Sequence, residues 1–241
     1  MDLNSLIPII YFHSEETYFP ESLDFYIDNS ELYQGKNKVL DKAVLSANLD
    51  ESYTLKNNLV SGDLNRAKLY IRVQELDDFF RIVFFVFFSF NGPLNLFGTC
   101  IKIGDHSADV EKFVFFVDKK TLSITKIYLG AHGSKDGLWL TPDDFEKKDN
   151  KLIIYSALGS HAFYNKEGTY WRYFGSVNDH TNKGKEWISP QFTIITDEYP
   201  EWQKYRGCLG YPDNCNVPKQ RGWEDEPEKS TSFLKRFFGC C

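Results

Sequence analysis

Between Ala67 and Glu75 apolar and polar residues alternate: Ala67, Leu69, Ile71 and Val73 fall on one side, Lys68, Tyr70, Arg72 and Gln74 on the other. A period of two predicts a strand with one packed and one wet face. After Asp77-Asp78 the pattern changes, because Phe79 to Phe90 is apolar at both parities. That run predicts a central strand covered on both sides, ending at the Asn91-Gly92-Pro93 breaker. Val110 to Asp118 and Ser123 to Leu129 read as a hairpin around Lys119-Lys120-Thr121, and Lys151 to Ala157 as a short buried strand.

Helical periodicity is scarce. Pro20 to Tyr33 and Thr141 to Lys148 are the best candidates, the second with Thr141 as N-cap and Pro142 at the first helical position. Many short strands between turn clusters predict a mainly β chain. The expected fold is an antiparallel β-sandwich or jelly-roll-like double sheet with a few peripheral helices and an extended C-terminal tail. Residues 1–222 are read as one domain and 223–241 as a tail opening on the acidic spacer Glu224-Asp225-Glu226-Pro227-Glu228.

Composition sharpens this picture in three ways. The 21 Phe, 14 Tyr and 5 Trp supply a large aromatic core of the kind that packs on pleated surfaces. A net charge of −6 without a long basic stretch repels a phosphate backbone, which excludes nucleic acid as the expected partner. The longest apolar run, Ile82 to Phe88, is far short of the roughly 20 residues that cross a bilayer, and Met1 to Ile10 lacks a basic start. The expected location is cytoplasmic. Cysteines there stay reduced, so Cys100, Cys208 and Cys215 are read as free thiols, although Cys208 and Cys215 flank a turn and have the spacing to pair.

Four of the five histidines stand in loop-like segments rich in Gly, Ser and Asp: Gly104 to Glu111, Ala131 to Ser134, Gly159 to Tyr164 and Asn178 to Thr181. Strand-end loops of a sandwich converge at its rims. Convergence here would assemble His106, Asp109, Glu111, His132, His161 and Asp179, the inventory of a general acid/base site. For a divalent metal the ligands would be His106, Asp109, Glu111, His132 and His161, with bound water as the nucleophile of a hydrolase. The alternative is that Gly-Ser-His and Asp-His are ordinary turn caps. Glu111 falls by alternation on the face of Phe113 and Phe115, where a carboxylate needs a partner. No nucleophile elbow, HExxH helix or phosphate loop is present, so the reading leans away from an enzyme.

Several segments together carry a resemblance. Tyr11 to Glu15 with Tyr18-Phe19-Pro20, Phe90 to Pro93, Gly104 to Glu111, His132-Gly133, Tyr155 to Tyr164 and Asn178 to Trp187 resemble, in order and spacing, the vacuolar protein sorting-associated protein 62 family of fungi and plants, which overlaps a plant family of unknown function. Ser156 to Ala162 is similar to its most specific signature. Its Gly-Asp-Trp-Glu-His signature corresponds to Ala108-Asp109-Val110-Glu111-Lys112, with both carboxylates kept and the histidine replaced by lysine. The resemblance implies a role in membrane traffic toward the vacuole and brings no reaction with it.

The chain ends Ser232-Phe233-Leu234-Lys235-Arg236-Phe237-Phe238-Gly239-Cys240-Cys241. This resembles the double-cysteine ending of small trafficking GTPases, geranylgeranylated on both thiols with a dedicated transferase and an escort protein. Two lipids, or one beside Lys235 and Arg236, anchor a protein stably. Three functional readings stand at this point. The first is a non-enzymatic module of vacuolar traffic, prenylated at Cys240 and Cys241, peripheral to an endomembrane and bound to trafficking proteins. The second is a metal-assisted hydrolase at the rim, and the third a carbohydrate- or lipid-binding sandwich using Trp139, Tyr170 and Trp171.

Overall fold

In the computed structural model the described residues are 1–40, 49, 52–95, 102–103, 105–131, 137–171, 178–200, 202, 205 and 207–210. Two stacked sheets dominate the fold, beside a three-stranded sheet and two two-stranded ribbons. The larger, of six strands, runs in the order Leu138–Leu140, Ile124–Leu129, His106–Asp118, Phe79–Asn91, Leu69–Glu75, Phe192–Ile194. The smaller contains Lys147–Lys148, Lys151–Ser156, Ile9–Phe12 and Glu186–Trp187 in that order, with Phe163–Tyr164 also paired to Lys151–Ser156. A mainly β double sheet is therefore what the chain adopts. Two pairings depart from the antiparallel rule: Ile9–Phe12 runs parallel to Lys151–Ser156, and Phe192–Ile194 parallel to Leu69–Glu75. Such partners are far apart in sequence, so nothing local announces them.

Between the sheets lies the main core. Ile82, Phe84, Val86 and Phe88 meet Phe113, Phe115 and Val117 on the larger sheet, and Ile10, Phe12, Ile154 and Trp187 close over them from the smaller. The opposite parity of the central strands, Val83, Phe85, Phe87 and Val114, is also buried, beneath Leu23, Tyr26, Ile27, Leu32, Leu55, Ile195, Trp202 and Tyr205. The Phe79–Asn91 strand is thus apolar at both parities because both faces are covered, as its sequence predicts. The face of Leu69–Glu75 expected to be wet is not wholly so. Tyr70 is buried against Trp202, and its hydroxyl accepts from the Leu23 N–H at 2.8 Å.

Both expected helices shrink. Ser22 caps the first through the Phe25 N–H, but it ends at Asp28, and Glu31–Gln34 becomes the middle strand of a three-stranded sheet that puts Leu32 in the core. The second is one 3-10 turn, Pro142–Asp144, where Asp144 accepts from the N–H and hydroxyl of Thr141. Asp149 and Asn150 both take positive φ, closing a two-residue turn that pairs Lys147–Lys148 with Lys151–Leu152 and ends any helix there. The expected hairpin forms as read, its turn tied by Asp118, which accepts the N–H groups of Lys120 and Thr121.

Ile195, Trp202, Tyr205 and Leu209 pack on the outer face of the larger sheet. Cys208 exchanges backbone hydrogen bonds with Tyr53 and Leu55 and is disulfide-bonded, which corrects the free-thiol reading at that position. The other four cysteines, Cys100, Cys215, Cys240 and Cys241, lie outside the described residues.

Candidate functional site: a buried histidine and carboxylate cluster at one rim

The Lys151–Ser156 and Phe163–Tyr164 strands are joined by the turn Ala157-Leu158-Gly159-Ser160-His161-Ala162. The turn closes on itself, with Ala157 N–H donating to Ala162 O and His161 N–H to Ala157 O. Gly159 and His161 both have positive φ, 70° and 60°. Glycine adopts that conformation freely and histidine at a cost of about 1 kcal/mol, which the surrounding contacts must offset. Ala157 and Ala162 are fully buried, so small side chains let the turn sit inside the molecule rather than project from it.

Other strand ends meet it. Gly92, just past the central strand, donates to Gly159 O, Leu158 N–H donates to His180 O, and Phe163 N–H donates to Gly130 O. Gly92 has room for no side chain, since a Cβ would stand 2.5 Å from the Tyr18 ring. The segments after the strands ending at Phe12, Asn91, Leu129 and Ser156 therefore converge on one rim.

His161 is the centre of what they build. Its ring is fully buried and stacks on Phe88, centroids 3.7 Å apart. Phe88 pairs across the strands with Asp109, which brings the carboxylate to the edge of the imidazole. Nδ1 of His161 lies 3.5 Å from Asp109 Oδ2, and Nε2 lies 3.9 Å from Glu16 Oε2 without a hydrogen-bond partner among the described residues. Glu16 is itself buried, one oxygen accepting the N–H groups of Thr17 and Tyr18 and the other that of Gly159 at 2.7 Å. Beside it Asp179, also fully buried, accepts the hydroxyls of Ser160 and Tyr164, both at 2.6 Å.

Of the residues picked from sequence, the structure brings His161 and Asp109 together and sets Asp179 against the neighbouring Ser160. His106 begins the same strand as Asp109, opposite Asn91, and its Nδ1 is buried without a hydrogen bond among the described residues. Glu111 pairs with Val86 on the face of Phe113, as alternation predicts, but is only half-buried. His132 lies outside the described residues. Among those described, no three His, Cys, Asp or Glu side chains are grouped to hold a metal ion. Sequence reasoning missed Glu16, whose neighbours Ser14-Glu15-Thr17 give it the look of an exposed loop residue.

The aromatics divide. Trp139 packs on Tyr128 and Phe116 beneath Lys126, which makes it a cover for the sheet. Tyr170 stacks on Tyr164, and Trp171 stands free in solvent.

Comparison with known proteins yields one family. The model of the vacuolar protein sorting-associated protein 62 family matches residues 3–206. No curated protein matches the sequence. Among solved structures, the necrosis and ethylene inducing protein 2 from the causal agent of cocoa's witches' broom disease is similar at 12% identity and a TM-score of 0.48, over 92% of this chain and 87% of that one. The non-toxic HaNLP3 protein is similar at 11% and 0.46, over 93% and 90%. NLPPya in complex with mannosamine is similar at 12% and 0.46, over 90% and 85%. Likenesses this distant leave the chemistry of the chain to be argued from its own residues.

Proposed function

The chain belongs to the vacuolar protein sorting-associated protein 62 family, and on that footing we propose that it is a non-enzymatic module of vacuolar protein traffic, held to an endomembrane by lipid on Cys240 and Cys241. The observation that carries the non-enzymatic half is the burial of the rim cluster. A catalytic acid, base or nucleophile must reach its substrate. His161 and Asp179 are fully buried, while the oxygens of Glu16 and Asp179 are taken up by backbone N–H groups and hydroxyls of the protein itself. Groups so used lock strand ends together. The membrane half draws on the terminal sequence, and no helix among the described residues is long and apolar enough to cross a membrane by itself.

The test is fractionation of the native cell type together with a vacuolar cargo assay. Cys240→Ser/Cys241→Ser is expected to move the chain into the soluble fraction and to missort cargo. A membrane pool and sorting that both survive the double substitution would overturn the reading.

One observation favours a second reading, the metal-assisted hydrolase. Nδ1 of His106 and Nε2 of His161 are buried polar atoms without hydrogen bonds among the described residues, and such atoms call for an explanation. Because no described group is complete, a divalent cation would have to be held by Asp109 or His161 together with His132, which lies outside the described residues, and it would activate water for attack. Elemental analysis of the purified chain beside Asp109→Asn decides it. Stoichiometric metal that is lost in the variant supports the hydrolase, and metal-free protein removes it.

A further inference from the structure

At the end of the larger sheet opposite the rim, two hairpin turns stand side by side. Residues 76–78 join Leu69–Glu75 to Phe79–Asn91, and residues 119–123 join His106–Asp118 to Ile124–Leu129. The central strands of the two hairpins pair there, Phe79 with Asp118. Lys119 ties the turns together: its N–H donates to Asp78 O and its ammonium pairs with Glu75 at 2.7 Å. Each turn is also closed on itself, Leu76 N–H donating to Phe79 O and Leu122 N–H to Asp118 O. A surface held in place this way loses little freedom on binding.

Each turn presents one exposed leucine, Leu76 at 39% and Leu122 at 52%. Leu122 has a φ of 55°, the left-handed position of a hairpin loop that glycine or asparagine fills more readily. In the monomer this leucine has neither a favoured backbone nor a buried side chain. The charges beside the leucines separate by turn. The first carries the exposed carboxylates of Asp77 and Asp78, the second the exposed ammonium of Lys120, and none of the three forms an ion pair among the described residues.

We propose that the two turns form a self-complementary docking surface for a second copy of this chain. A two-fold axis normal to the larger sheet, passing between the turns, sets the first turn of each copy against the second turn of the other. Leu76 then meets the partner's Leu122, while Asp77 and Asp78 meet the partner's Lys120, and each contact occurs twice. Apolar faces apolar and each charge faces its opposite, whereas setting first turn against first turn opposes carboxylates to carboxylates. Two pairs of turns bury less than the roughly 1,200 Å² of a stable interface, so the dimer is expected to dissociate at about 10–100 μM.

Sedimentation velocity of the full-length chain, over a concentration series spanning that range, is expected to show monomer passing reversibly to dimer. Leu122→Asn, which suits the positive φ and so keeps the fold, is expected to weaken the dimer about tenfold or more, because the contact is lost twice. Asp77→Lys/Asp78→Lys and Lys120→Glu are each expected to stay monomeric. Mixed in equal amounts, these two variants are expected to associate again, since every reversed turn then faces its opposite. Dimerisation that Leu122→Asn leaves unchanged, or a mixture as monomeric as its components, overturns the proposal. So does a wild type that stays monomeric, including one that adheres through the same leucines to vesicles or to another protein instead.

Discussion

The imidazole of His161 lies flat on the ring of Phe88, with centroids 3.7 Å apart and planes 5° from parallel. Phe88 belongs to the central strand of the larger sheet and His161 to a turn of the smaller, so the stack joins the two layers at their rim. His161→Ala removes the ring from a fully buried position and is expected to cost about 3 kcal/mol in urea unfolding. His161→Asn, which suits the positive φ, is expected to lose less of it through the backbone. Equal stability of the alanine variant and wild type would show that the stack holds nothing together.

Asp179 ties the ribbon to the turn. Asp179→Ala leaves the hydroxyls of Ser160 and Tyr164 without their acceptor in a buried place. The expected loss is about 3 kcal/mol. Proteolysis is expected to begin within residues 166–180 in this variant, a pattern that limited digestion and mass spectrometry would reveal.

Glu21 is fully buried, its carboxylate gripped by Nε and Nη2 of Arg66 at 2.7 and 2.5 Å and by the Ser22 N–H. Arg66→Met strands that charge and is expected to cost about 3 to 5 kcal/mol. Adding Glu21→Gln to the same chain is expected to recover much of the loss, because the uncompensated charge is then gone. Chemical denaturation of the two single variants and the double closes the cycle.

Acid sensitivity follows from the outer face of the smaller sheet. The Lys183 ammonium, hydrogen-bonded to Glu146, holds that carboxyl below its ordinary range, and Lys148, then the Tyr11 hydroxyl, do the same for Glu186. Depressed folded values mean that the stabilisation is present above the unfolded carboxylate pKa of about 4.3 and fades as pH falls through the folded values. Melting temperature is expected to drop less steeply below that point in Glu146→Gln/Glu186→Gln than in wild type. Parallel curves for the two proteins would assign the acid sensitivity to other groups.

What the sequence determined by itself is whatever depends on neighbours along the chain. The double-sided burial of Phe79–Asn91 was legible because apolar residues fill both parities, and its end because Asn91-Gly92-Pro93 cannot continue a strand. The Asp118 turn was legible from the polar residues that tie it. At the rim, Gly-Ser-His announced a special turn, and the parity of Asp109 and Glu111 was readable from alternation. The tertiary structure alone decided the rest. Tyr70 sits at a polar parity and is buried because Trp202, distant in sequence, packs against it. Glu16 reads as a loop residue and is buried because the 157–162 turn delivers the Gly159 N–H to it. Burial of a polar group depends on partners supplied from distant segments, and no local pattern records which segments will come together.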